Sequence, residues 1–216
     1  MTQPAGTRLR KGERTRRQLV QVAAQLFADQ GYAATTYDDL VAASGLSRGG
    51  FYFHFRTKEE LAMAVIDTKQ RQWEEDLSAR LGRVTTATGR LAAFGPVLLQ
   101  MQVEDPSGLA LTTMTAELTR VPGLTEQVRA VTRRWIDFLT TIVSEAQDEG
   151  GIRRDLDAAS LAVVLIGSMS GIRQLTCRFP GDDARSSIEV HSATWYAIVR
   201  SGLRPGAEPA HPHLPE

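Results

Sequence analysis

Along most of this chain the apolar positions recur every three or four residues, the period of an amphipathic helix. Between Lys11 and Gln30 the stripe is Leu19, Ala23, Leu26 and Phe27, and Gly31 follows as a stop, which predicts a first helix. "TYDDLVAAS" offers Thr36 as N-cap with Asp39 three residues on, turns Leu40 and Val41 inward and stops at Gly45, a short second helix. The stretch "SRGGFYFHF", residues 47–55, breaks the pattern: Phe51, Phe53 and Phe55 alternate with Tyr52 and His54, as in a strand leaving a tight turn. Its flanks argue against a strand. Ser47 can cap a helix, and "TKEE" at 57–60 is a capping box that starts another. No nearby segment alternates well enough to pair with a strand, whose backbone polar groups would be left unsatisfied. Residues 47–53 are therefore predicted as a third short helix, with Phe51 and Phe55 on one face.

A fourth helix is predicted from Lys58 to about Arg80, with Leu61, Val65, Trp73 and Leu77 on a recurring face. At about 1.5 Å per residue it would be roughly 35 Å long, enough to join two domains. Further helices are predicted over 87–103, interrupted by Gly95-Pro96, and over 108–120, 124–149, 157–178 and 185–202. The segment 124–149 has the clearest stripe: Val128, Val131, Trp135, Phe138, Ile142 and Ala146. The expected architecture is all-α. It comprises a flexible basic arm over 1–10, a helix-turn-helix domain over 11–56, a larger helical domain over 57–203 and a disordered Pro-rich tail over 204–216.

Composition changes this picture at one end only. The 216 residues are 42% apolar, and 25 Lys and Arg balance 25 Asp and Glu, so net charge suggests no partner. The first twenty residues nevertheless hold Arg8, Arg10, Lys11, Arg14, Arg16 and Arg17 against Glu13 alone, a solvated tail or a phosphate-seeking arm. Cys177 is the single cysteine, which excludes an intramolecular disulfide and a cysteine metal cluster. The longest strongly apolar run, "LAVVLIG" at 161–167, is far short of the ~20 residues that span a bilayer. No signal-peptide core opens the chain, so a cytoplasmic location is expected. There is no dinucleotide fingerprint, P-loop or H-E-x-x-H, and His211 and His213 fall in the tail, so neither cofactor nor metal is expected.

The candidate chemistry lies in two short helices joined by "ASGLS". Gly45 supplies the unusual backbone angle of the turn, and Leu46 fills the gap between the helices. The second helix of such a unit enters a major groove. Arg48 suits guanine O6 and N7, Gly49 and Gly50 let backbone and phosphate approach, and Tyr52 and His54 present polar tips to phosphate oxygens. The alternatives are a solvated Arg48, a Tyr52 that caps the core, and a helix-turn-helix shape that never meets DNA.

Residues 15–65, "TRRQLVQVAAQLFADQGYAATTYDDLVAASGLSRGGFYFHFRTKEELAMAV", resemble the N-terminal DNA-binding domain of the TetR family of bacterial transcriptional regulators over its whole length. The resemblance implies a three-helix DNA-binding domain joined by the fourth helix to an all-helical effector-binding and dimerisation domain, with repression most often relieved by a small ligand. Carried over to matching positions, it implies DNA contacts from Arg14, Thr36, Tyr37, Ser47, Arg48, Gly49, Tyr52, His54 and Lys58. Gly50 departs from the family pattern, which more often has Ala there, and a second Gly adds up to ~1 kcal/mol of helix cost. Residues 66–202 match the family only in outline. Leu161, Leu165, Ile172, Ile188, Trp195 and Val199 are expected at a dimer interface made by the last two helices. Phe94, Leu98, Met101, Met114, Trp135, Phe138 and Met169 are expected to line an apolar ligand pocket, and the "YFHF" run with Trp135 is similar to the γ-butyrolactone receptor group.

These readings make the chain a homodimeric, ligand-responsive repressor. It would bind double-stranded, pseudo-palindromic operator DNA and release it on meeting a small apolar or amphipathic effector. A partner-binding helical module without effector is the main alternative. A small helical hydrolase using His54, or His191 with Glu189, is a second, but no nucleophile, base and orienter recur at workable spacing.

Overall fold

In the computed structural model the described residues are 5–105, 114–178 and 184–206, with side chains from Gly12 onward except 102–103, 173, 176–178 and 184–188. The side chains of Arg8, Arg10, Lys11, Cys177 and Ile188, the segment 108–113 at the start of the helix expected over 108–120, and the end of the tail with His211 and His213 thus lie outside them. Among the described residues all regular structure is helical: α1 Ala5–Gln30, α2 Tyr37–Ser44, α3 Arg48–His54, α4 Lys58–Leu81, α5 Ala87–Glu104, α6 over 114–118, α7 Thr125–Asp148, α8 Ala158–Arg178 and α9 Ala184–Gly202. The first helix begins inside the basic stretch expected as an arm, where Arg, Lys and Glu are good helix formers.

The chain divides into two compact units, Met1–Trp73 with Asp105–Val131, and Glu74–Glu104 with Thr132–Glu216. In the first, Leu19, Val20, Ala23 and Phe27 of α1 are buried with Leu40, Phe51 and Phe55, with the α4 residues Leu61 and Val65, and with Met114, Leu118, Val128 and Val131. In the second, α9 packs on α5 and α8. Its buried residues include Leu77, Phe94, Leu98, Met101, Leu139, Val143, Leu165 and Met169.

The helix boundaries follow from caps. Gly31 ends α1 with φ +84°, in the left-handed region that suits glycine. Thr36 and Asp39 form a reciprocal capping box on α2, and Gly45 ends it with φ 67°. Ser47 Oγ accepts from Gly50 N at 3.2 Å and starts α3, which stops at Phe55, an extended residue with φ −143°. The aromatic alternation is thus carried on a helix, because its period of two has no sheet to join. At α4, Thr57 Oγ1 accepts from Glu60 N at 3.0 Å, while Glu60 reaches back to Arg56 N at 2.9 Å, one residue further than the usual box.

One expected boundary is corrected. Gly95-Pro96 does not interrupt the helix: α5 runs through Pro96. Proline removes one backbone donor and crowds the preceding turn, but Phe94, Leu98 and Met101 on both sides of it are buried, and that packing outweighs the local penalty.

Candidate functional site

The helix-turn-helix is built so that α3 points one face inward and the opposite face to solvent. Phe51 and Phe55, four apart, are 1% and 0% exposed, and Tyr37 of α2 meets Phe51 edge-on at 5.0 Å between ring centroids. Tyr37 Oη donates to the Phe55 carbonyl at 2.8 Å, so one tyrosine ties α2 to the end of α3. Burial and the neighbouring Tyr52 push its hydroxyl pKa up, which keeps it a neutral donor. From α1, Arg16 Nη1 donates to the His54 carbonyl at 2.8 Å and its guanidinium lies 4.0 Å from the Phe55 ring centre.

The outward face carries Ser47, Arg48, Gly49, Tyr52 and Phe53. Tyr52 is 48% exposed and leans on Tyr37, its ring centroid 5.0 Å away. Arg48 Nη2 lies 2.8 Å from Asp38 Oδ1. No side chain or backbone atom would meet a Cβ at Gly49 within 4 Å, so that position is open. At Gly50 a Cβ would stand 3.3 Å from Ser47 Oγ, the capping atom, which gives its missing side chain a local reason.

The remaining expected DNA contacts fall in different settings. Arg14 is exposed on α1, and Thr36 is exposed at the N-terminus of α2, where its hydroxyl donates to Asp39 at 2.7 Å. That bond, with a second from the Thr36 N–H, holds the Asp39 carboxyl below its usual pKa. His54 is half-buried against Phe53 at the end of α3. Lys58 is turned inward: Nζ donates to the carbonyls of Tyr32 and Thr35 at 2.9 and 3.0 Å and sits 4.2 Å from the Tyr32 ring centre.

Phe53 is the outward residue that sequence reasoning missed. It is 84% exposed, the most exposed large apolar side chain of those described. The signal was present, since two residues on a helix are separated by about 200°, so an inward Phe51 requires an outward Phe53.

The second unit contains a cavity of about 300 Å³ bounded by α5, α9, the start of the α7–α8 connection and Leu165 of α8. Of the residues expected at a ligand pocket, Phe94 lines it. Trp135 lies against Phe94, with centroids 6.3 Å apart, and stacks on Phe138 at 6.0 Å; both are half-buried. Leu98, Met101 and Met169 are buried in the same unit, whereas Met114 belongs to the core of the first.

Of the residues expected between protomers, Leu161 and Leu165 are buried within the unit, and Ile172, Trp195 and Val199 are half-buried. Trp195, Val199 and Leu165 line the cavity. A different set is exposed: Val163, Val164 and Leu175 of α8, and Val190 and Ile198 of α9. Val164 and Leu175 lie eleven residues apart, three helical turns, with Gly171 between them on the same face. No group of three or more His, Cys, Asp or Glu side chains among the described residues is placed to hold a metal, and no described helix is long and apolar enough to cross a membrane.

Comparison with known proteins agrees with this architecture. Residues 19–65 match the profile of bacterial regulatory proteins of the tetR family, and residues 87–188 match that of the tetracyclin repressor-like C-terminal domain. A TetR transcriptional regulator from Chloroflexus aurantiacus J-10-FL is 33% identical in its crystal structure. The match covers 90% of this chain and 98% of that one with a TM-score of 0.75. The transcriptional repressor DhaR of Mycobacterium sp. (strain GP1) is 28% identical over 159 residues, 72% of this chain and 79% of DhaR. The A-factor receptor protein of Streptomyces griseus is 24% identical over 193 residues, 89% of this chain and 65% of that protein, so identity does not favour the receptor over other regulators.

Proposed function

Because the chain belongs to the TetR family of bacterial transcriptional regulators, and is therefore a DNA-binding regulator rather than an enzyme, we propose that it acts as a homodimeric repressor. It releases a pseudo-palindromic operator when a small apolar or amphipathic effector enters its second unit. The observation that carries the DNA-binding half is the outward face of α3, where Arg48, Tyr52 and Phe53 project from a helix anchored behind by Phe51 and Phe55. Arg48 reads guanine, Phe53 meets a thymine methyl, and Ser47, Thr36 and Tyr52 hold phosphates. Arg14 adds charge along α1. Lys58 contributes by fixing the α1–α2 connection, through its two carbonyl contacts, rather than by reaching a phosphate.

Dimerisation is supported by the exposed apolar face of α8 and α9. Five large aliphatic side chains in solvent on two adjacent helices are costly for a monomer and suit a second copy presenting the same face. A two-fold pair would offer two α3 helices to successive major grooves. The cavity, with the aromatic group of Phe94, Trp135 and Phe138 in the same unit, supports the effector half. A cytoplasmic location accords with this role.

Selection of bound duplexes from a random pool tests the reading directly. An inverted repeat with half-sites about one helical turn apart, or somewhat more, is the expected product. Recovery of unrelated sequences at low salt, or of a single unrepeated half-site, would overturn it.

A further inference from the structure

The cavity of the second unit is chemically two-ended. Its inner wall is apolar, formed by Leu91, Phe94, Leu165 and Trp195, while Arg200 and Arg204 stand at its edge, exposed to solvent. Neither guanidinium has a hydrogen-bond or ion-pair partner among the described residues. Elsewhere in the same unit Arg80, Arg90 and Arg153 each hold a carboxylate. We propose that this cavity binds a single-chain amphiphile with an anionic oxyacid head, its apolar body lying against Trp195 and Phe94 and its head held by Arg200 and Arg204.

Three features make the wall a prepared surface. Trp195 Nε1 donates to Ser168 Oγ at 2.7 Å, and Ser168 Oγ in turn donates to the Val164 carbonyl at 2.6 Å, so the indole is pinned from one edge. Gly95 leaves room for its other edge, since a Cβ there would stand 3.2 Å from Trp195 Cζ3. The end of α9 is fixed too: Arg153 N donates to the Leu203 carbonyl at 2.9 Å, and its guanidinium reaches the Gly202 carbonyl at 3.4 Å. Those contacts engage carbonyl oxygens that would otherwise repel an anion at a helix C-terminus, and they hold Arg204 beside the cavity. A guanidinium pair suits a carboxylate or a phosphate, which accept paired N–H donors. A volume of about 300 Å³ is enough for one such chain.

The inference rests on the effector reading only for its regulatory consequence. Calorimetric titration of the full chain with decanoate, decyl phosphate, decanol and decyltrimethylammonium, each below its micelle concentration, tests it. Decanoate or decyl phosphate should bind at least about tenfold more tightly than decanol, and the tighter of the two names the head group. The R200A/R204A double variant should bring the anions to the level of decanol while leaving decanol unchanged. Leu91→Trp should abolish binding of all four, and Gly95→Ala, which displaces the indole, serves if that variant does not fold. Equal affinity for decanoate, decyl phosphate and decanol, no binding of either anion, or anion affinity unchanged in the double variant would overturn the site. A gel shift separates the two readings. Arginine-dependent binding that leaves operator affinity unchanged would sink the effector role and leave the site standing. Operator release by decanoate that persists in the double variant would do the reverse.

Discussion

Arg48 of α3 is held by Asp38 of the preceding helix, Nη2 to Oδ1 at 2.8 Å, with 65% and 72% of their side chains exposed. A pair so open to water contributes little to stability. Its consequence is positional: in the free protein the pair ties the guanidinium to α2. Arg48→Ala should therefore leave thermal stability nearly unchanged while weakening operator binding by about 1–3 kcal/mol and relaxing base preference at one position. Gel shifts on the selected operator and its single-base variants, beside a melting curve, read both effects.

Phe53 carries a sharper test. Because it is 84% exposed, Phe53→Ala removes almost no folded-state packing, and stability should hold. Operator affinity should fall. Replacing the contacted thymine by uracil, which lacks only the methyl group, should weaken wild-type binding and leave the variant's binding as it was. A variant that loses equal affinity for both operators would move Phe53 away from the base edge.

Gly49 should separate stability from function. A methyl group there meets nothing within 4 Å in the free protein and removes a glycine from a helix, so Gly49→Ala should raise stability by roughly 0.5–1 kcal/mol. The same methyl group lies on the exposed face proposed to meet DNA, and operator affinity should drop. Denaturant unfolding and gel shift should move in opposite directions.

The exposed face of α8 and α9 predicts the effect of charge. Val164→Glu with Ile198→Glu places carboxylates at positions 62% and 68% exposed, where the monomer tolerates them and an apolar interface does not. Sedimentation should show a monomer with unchanged helical circular dichroism, and operator binding should be lost with the dimer.

Acid sensitivity should be traceable to Glu149. Its carboxylate accepts from Ala87 N at 2.7 Å and from Thr88 N and Oγ1 at 2.9 and 3.0 Å, closing the start of α5. The Thr88 and Ala87 N–H donors hold its pKa below the usual glutamate value. A depressed folded pKa gives stability that is present above the ordinary carboxylate range and is lost as pH falls through the folded value. Melting temperature followed from neutral to acid pH should therefore fall less steeply in Glu149→Gln than in the wild type.

Much of the DNA-binding unit was legible in the chain itself. Thr36 with Asp39, Gly45, Ser47 and the Thr57–Glu60 pair are local signals: each is satisfied within about four residues, so spacing alone marks where α2, α3 and α4 begin or end. Phe51 and Phe55 could be placed inward for the same reason.

Tertiary structure decided what spacing cannot encode. Pro96 sits inside α5 because buried neighbours outweigh a local penalty. Lys58 turns to two carbonyls that are distant in sequence. On α8 and α9, apolar residues occur on more than one face, and periodicity does not say which face its own unit covers. Leu161 and Leu165 are covered by the unit itself, while Val164 and Ile198 are left outside. The local order of helices and caps was determined by the sequence alone, because those interactions close within a turn. The cavity, the two arginines at its edge and the exposed apolar face depend on which helices meet, and that is set by packing between residues far apart in the chain.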